Sequence, residues 1–269
     1  MAIDLKALRE KQQKLEEQAA RQSGEGFTNN FLKLEDGNTN VRILPGKEED
    51  DPWYAETKIH RVPDGEDGVT NFHCLKVHGE SCPLCDAYYK LWDLYNKTGK
   101  TETTYSETAK QIKPRERYYM NVVDRSIEDD SEESAVKILS VGQIIFRKII
   151  STILAVDDDE ESETYGQAEY GDITDLENGH DFKIVKKMEG KWPKYDESAV
   201  RPKSKPAAST KKKMAEYMDS LHDLQALVRK EEFDKVKAAA LTLCPTLEIG
   251  RPVESGGRTE KDKREELQA

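Results

Sequence analysis

Between His60 and Cys85 the chain reads HRVPDGEDGVTNFHCLKVHGESCPLC, and this stretch restricts the possible folds more than any other. It holds three of the four cysteines and three of the five histidines. Cys74, Cys82 and Cys85 fall within twelve residues, with His60, His73 and His78 around them. Thiolates favour a borderline-soft cation, and three Cys with one His close a tetrahedral zinc site with no position left for water. A closed site holds structure and hydrolyses nothing. His73 adjoins Cys74, so on a strand the two side chains diverge; His60 and His78 are better placed to ligate. A redox role for Cys82-Pro-Leu-Cys85 needs a thioredoxin-like βαβ setting, which the flanking loops do not supply.

The opening MAIDLKALREKQQ lacks a secretory apolar region, and no run approaches the ~20 apolar residues of a bilayer span. Clustered Cys and His without an export signal favour metal over disulfides. Cys244 reads as a buried thiol. The net charge is −11, from 42 basic and 53 acidic residues. Taken alone this opposes a nucleic-acid partner, but the local field decides binding. The acids are clumped at Glu128 to Glu133 and Asp157 to Glu163, which read as solvated loops. Lys110 to Arg117 (KQIKPRER) is basic, and Arg201 to Lys213 holds six bases and no acid.

Periodicity divides the chain. Ile3, Leu5, Leu8, Leu15 and Ala19 predict a helix over 3–21 within an N-terminal arm, 1–25, able to dock on the core or on another copy. FLKLEDGNTNVRIL predicts a hairpin, 31–34 against 41–44, about Asp36-Gly37-Asn38. Trp53 to His60 reads as a strand, and a helix follows Cys85. Residues 96–110 read as a polar loop. Tyr118 to Val123 and Ala135 to Leu139 read as strands, and 141–156 as a helix despite its β-branched residues. Asp181 to Met188 and Lys191 to Tyr195 form a second hairpin candidate. Pro202 and Pro206 suggest a basic linker over 201–213, followed by C-terminal helices over 214–248 with Met214, Met218, Leu221, Leu224 and Val228 as one stripe. A charged, flexible tail is expected over 249–269.

Aromatics lie among the bases. Lys113, Arg115 and Arg117 run into Tyr118 and Tyr119; Lys183, Lys186, Lys187, Lys191 and Lys194 surround Trp192 and Tyr195. Such surfaces suit single strands, whose bases stack on rings while cations follow the phosphates. Neighbours on a strand face opposite sides, so one of Tyr118 and Tyr119 is expected to leave the core. There is no Gly-rich phosphate loop and no G-x-S-x-G, so no enzyme is expected.

The series FLKLEDGNTNVRILPG, the His60 to Cys85 stretch with HGESCPLC, DLYN, TYS, RYYMNVV, VGQIIFRKIISTILAV and DFKIVKKMEGKWPKYDES resembles the single-stranded DNA-binding, helix-destabilising proteins of tailed bacteriophages, the gene-32-type family. The resemblance covers about residues 26–198, with a weaker likeness to about Cys244. It implies an α+β chain whose core, 26–200, is an OB-fold (a five-stranded Greek-key β-barrel) with flanking helices and a zinc subdomain inserted at about 52–98. It implies one structural zinc ion on His60, Cys74, Cys82 and Cys85, with His78 as the spare. The implied nucleic-acid contacts are Tyr95, Tyr105, Lys113, Arg115, Arg117, Tyr118, Tyr119, Lys186, Trp192 and Tyr195. The implied partners are single-stranded DNA, other copies through residues 1–25, and phage replication and recombination proteins in the host cytoplasm, with no membrane. The family's short basic N-terminal motif is not recognisable in the balanced 3–21 helix.

The expected function is therefore sequence-nonspecific single-stranded DNA binding in replication, recombination and repair. The rival is a zinc-stapled interaction adaptor that touches no nucleic acid. It predicts that Tyr118 and Tyr119 are both buried and that the bases over 113–117 are scattered. A redox or nuclease enzyme is the third possibility.

Overall fold

The computed structural model describes residues 30–48, 50–64, 68–127, 134–158, 160–163, 165–190, 192–246 and 248. The expected 3–21 helix, the acidic clump at 128–133 and the 249–269 tail lie outside the described residues. In chain order the elements are β1 (Gly37–Ile43), β2 (Tyr54–Asp64), β3 (Gly68–His73), α1 (Pro83–Lys97), α2 (Thr103–Ile112), β4 (Arg115–Asp124), β5 (Val136–Val141), α3 (Gln143–Ile153), β6 (His180–Glu189), β7 (Trp192–Lys194), β8 (Ala199–Ser204), α4 (Lys211–Asp219) and α5 (Phe233–Leu243). The fold mixes α and β, and its paired strands run antiparallel. Two compact units divide it: Met1–Tyr54 with Tyr118–Leu224, and Ala55–Arg117 with Gln225–Ala269.

In the first unit β1 is held on both edges. Val41 to Ile43 pair with β4, and Gly37 to Arg42 pair with β6. β5 lies on the far edge of β4, while β8 and β7 pair with successive parts of β6. Val41, Ile43, Met120, Val122, Leu139, Phe182 and Ile184 form a core that α3 covers with Ile145, Phe146 and Ile149. A second cluster joins Leu44, Val123 and Val136 to Met214 and Tyr217 of α4. Arg42 is wholly buried. Its Nε donates to Asp181 Oδ1 at 3.1 Å, its Nη1 to the Asp175 carbonyl at 3.2 Å and its Nη2 to the Lys205 carbonyl. Arg125 shares the same carboxylate through Nε at 3.0 Å and Nη2 at 2.8 Å. Burial, followed by the opposing attraction of Asp181, leaves the Arg42 pKa below its ordinary value.

Four expectations fail here for identifiable reasons. The 31–34 arm makes no hairpin with β1, whose two edges are already taken. Phe31 instead forms a parallel bridge with Ile138, and Leu32 N donates to the Ile138 carbonyl at 2.9 Å. Asp36-Gly37-Asn38 still turns the chain, with Gly37 at φ 111°. The 201–213 linker begins instead as β8, which takes Pro202 because an edge strand can spare an N–H. The single stripe from Met214 to Val228 breaks at Ser220, because Asn121 clamps the backbone of His222: its Oδ1 accepts from His222 N and its Nδ2 donates to His222 O, both at 3.0 Å. Tyr118 and Tyr119 are both buried, at 7% and 6% exposure. β4 is a central strand covered on both faces, so alternation does not expel either ring.

The second unit pairs β2 with β3 and sets the first residues of β4 beside β2. Its core joins Val62, Phe72, Leu75, Leu84, Ala87 and Leu91 to Ala109 and Ile112 of α2 and Val236 and Ala240 of α5. α1 begins with Pro83, where a missing N–H costs nothing, and ends before Gly99 and Lys100, both at positive φ. The loop expected at 96–110 is in fact largely α2. Its inward stripe is Ala109 and Ile112 with small Ser106 and half-buried Tyr105, too narrow to stand out among Thr and Lys.

Candidate metal centre and nucleic-acid interface

The β2–β3 hairpin and the start of α1 gather the ligands. His60 faces the interior of β2, Cys74 directly follows β3, and Cys82 and Cys85 flank Pro83-Leu84 at the first turn of α1. A spacing of three residues at a helix start puts both thiols on one side. Cys74 Sγ lies 3.5 Å from Cys85 Sγ, and His60 Nε2 lies 3.5 Å from Cys82 Sγ and 3.6 Å from Cys85 Sγ. All four ligand atoms lie within 4.8 Å of one another, and all four residues are buried. Metal–sulfur bonds of about 2.3 Å and metal–nitrogen bonds of about 2.0–2.1 Å set tetrahedral ligand atoms about 3.6–3.8 Å apart, so this arrangement fits a metal ion. The cysteines form no disulfide.

The backbone fixes the imidazole. His60 Nδ1 lies 2.7 Å from the carbonyl oxygen of Ile112. With its proton given to that carbonyl, Nε2 keeps a lone pair aimed at the thiols. Sequence could not find this bond, because its acceptor is a main-chain oxygen 52 residues away. Without a cation the thiols compete. Hydrogen bonds with Cys74 and Cys85 hold Cys82 far below the ordinary thiol range, and bonds with Cys74 and Cys82 push Cys85 far above it. A divalent cation removes that conflict by accepting all three as thiolates.

The other two histidines of the stretch are spent elsewhere. His73 Nδ1 lies 3.1 Å from Thr57 Oγ1, and His78 Nε2 lies 3.3 Å from the Arg229 carbonyl. The set that the structure gathers is therefore His60, Cys74, Cys82 and Cys85, with His78 apart.

The sequence-derived nucleic-acid contacts are less uniform. In the second unit Tyr95 and Tyr105 are half-buried, Tyr95 edge-on to Trp92 at 5.7 Å and Tyr105 against the unit's core. Lys113 and Arg115 are exposed and Arg117 half-buried. In the first unit the ring of Tyr118 is stacked on Phe146, with centroids 3.7 Å apart and planes 6° from parallel. Phe146 also meets Tyr54 at 4.8 Å and Trp53 at 6.1 Å. Tyr119 packs edge-on to Phe31 at 6.2 Å. Neither tyrosine offers a free face. Lys186 is also engaged, paired with Asp36 at 3.0 Å and donating to the Leu34 carbonyl at 3.0 Å. Trp192 differs from these. It is 72% exposed on the β6–β7 hairpin, whose turn at Gly190 has φ 61°. It pairs across from Glu189, and Lys187 pairs with Lys194 one step along the same face. Half-buried Tyr195 packs against the first unit's core.

A family model described as gp32 DNA binding protein like matches residues 35–244, from just before β1 to just after α5. The chain belongs to this family of DNA-binding proteins. The gp32-like match spans all four clustered metal ligands and every sequence-derived contact. No curated protein matches the chain significantly. Among the described residues no helix is long and apolar enough to cross a membrane.

Proposed function

We propose that this gp32-like chain binds single-stranded DNA without sequence preference, melts short duplexes, and serves phage replication, recombination and repair without catalysing a reaction. The observation that carries this reading is the gp32-like family match over residues 35–244. Exposed Trp192 supports it, since a free ring face can stack a base; Lys187 and Lys194 beside it are ion-paired with Glu197 and Glu189, surface pairs that a phosphate would have to displace. In this reading the antiparallel sheet of the first unit is an OB-fold core, Arg115, Arg117 and Lys113 follow the backbone, and Tyr118 and Tyr119 stiffen the first unit's sheet from within. The buried cluster is a structural zinc site: its ligand set is closed, and zinc suits three thiolates with one imidazole. Association with other copies through residues 1–25, recruitment of replication proteins and a place in the host cytoplasm belong to the same proposal.

The adaptor reading has one observation in its favour, the burial of both Tyr118 and Tyr119. Its other requirement, scattered bases over 113–117, fits poorly with three odd-numbered residues running into one strand. Titration with labelled oligo-dT and with duplex of equal length separates the two. Tighter binding of the single strand, weakening as salt rises, is expected; equal or tighter binding of the duplex overturns the proposal.

A further inference from the structure

The basic strand has a neighbour that the sequence did not suggest. Lys58 Nζ lies 3.5 Å from Glu116 Oε1, and His60 Nδ1 lies 2.7 Å from the Ile112 carbonyl. Moving up β2 from 58 to 60 thus moves down the facing segment from 116 to 112, so the two run antiparallel. Lys58, His60 and Glu116 mark one side of this pair, and the odd-numbered residues project from the other. That other side collects Arg61 from β2 with Arg115 and Arg117 of β4, and exposed Lys113, at the end of α2, lies two residues before them in the chain. β3 adds Asn71, directly across from Arg61. Among the described residues, none of these four cations has a carboxylate within ion-pair distance. Burial, then the like charges of Arg61 and Arg117, lower the Arg115 pKa from its ordinary value, so the guanidinium groups feel one another.

Clustered guanidinium groups without a carboxylate partner, two of them exposed and Arg117 half-buried, repel one another, and an anion relieves that repulsion. Guanidinium is also the side chain best shaped to grip a phosphate through two parallel N–H bonds. We propose that Arg61 completes a phosphate-binding face with Lys113, Arg115 and Arg117, and that this face grips the sugar–phosphate backbone of a single strand. The inference rests on the single-stranded DNA reading and adds to it a residue that lies within the metal-binding stretch.

The test is the salt dependence of oligo-dT binding by the full, metal-loaded chain. Each phosphate contact on a single strand contributes about 0.7 to the log–log salt slope. Losing one contact therefore weakens binding about eightfold at 50 mM salt and about threefold at 200 mM, converging toward 1 M. Arg61→Ala should show that pattern with unchanged metal content and circular dichroism. Arg61→Lys should restore the slope, because the charge is kept. Arg61→Ala with the parent slope, while Arg115→Ala loses its share, overturns the role of Arg61 and leaves the single-strand reading intact. A parent chain that does not bind oligo-dT removes both.

Discussion

Removing the metal should unfold one unit and spare the other. Among the described residues fourteen buried side chains form the core of the second unit, and three of them are the proposed ligands Cys74, Cys82 and Cys85. Of the remaining eleven, three are alanines and one is Cys244. A core this small has little to spare once its centre becomes a cluster of mutually opposed thiols. Structural zinc supplies roughly 10–16 kcal/mol of apparent binding free energy in small peptides, against total domain stabilities of about 5–15 kcal/mol. The loss therefore matches or exceeds everything the unit has. Hydrogen exchange with and without a chelator, alongside elemental analysis for one metal per chain, reads this directly. Amides over 84–91 and 236–240 should lose protection worth about 5 kcal/mol, a factor of several thousand in exchange rate, while those over 41–43, 120–123 and 182–185 keep theirs. Cys85→Ser should reproduce the pattern genetically. A verified metal-free protein with undiminished protection over 84–91 would refute the staple.

Trp192→Ala should weaken oligo-dT binding by about 1–3 kcal/mol, and single strands should quench the parent's Trp192 fluorescence; affinity equal to the parent's would remove the ring from the interface. Phe146→Ala should destabilise the first unit by about 3–5 kcal/mol, because it uncovers Tyr118, Tyr54 and Trp53 together, and denaturant titration reads the loss. Arg42→Met strands the carbonyls of Asp175 and Lys205 and should cost about 3 kcal/mol or more, a fall in melting temperature of about 6–12 °C.

Legibility followed locality. The ligands Cys74, Cys82 and Cys85 stood out because a metal site demands rare residues at short spacing, and β4, β5, α1 and α3 because their apolar patterns are strong. The β6–β7 turn was legible for the same local reason, with Glu189-Gly190 between two patterned arms. What failed depended on partners remote in sequence. The 31–34 arm has hairpin chemistry, yet β6 claims the edge of β1 that a hairpin would need. Ser220 ends α4 because Asn121, about a hundred residues earlier, holds the next turn. Burial of the Tyr118–Tyr119 pair required knowing that β4 is central. Of the proposed contacts, the exposed ring of Trp192 keeps an open face to act as a platform, and Arg61 was hidden because its basic neighbours lie more than fifty residues away in sequence.

The pairing of β1 has a consequence for synthesis. Val41 meets Phe182, so this edge of β1 stays bare until the ribosome has passed residue 182. By then His60, the three cysteines and the Ile112 carbonyl have all emerged, and closing the 52-residue span from His60 to Ile112 costs about 1 kcal/mol less than joining 41 to 182. The four proposed ligands can therefore meet while the first unit still exposes an unpaired strand, and α5 closes over them only later. Starving the cell of the ion should then reveal itself during translation, as nascent chains captured by chaperones, before it is seen as a defect in finished protein.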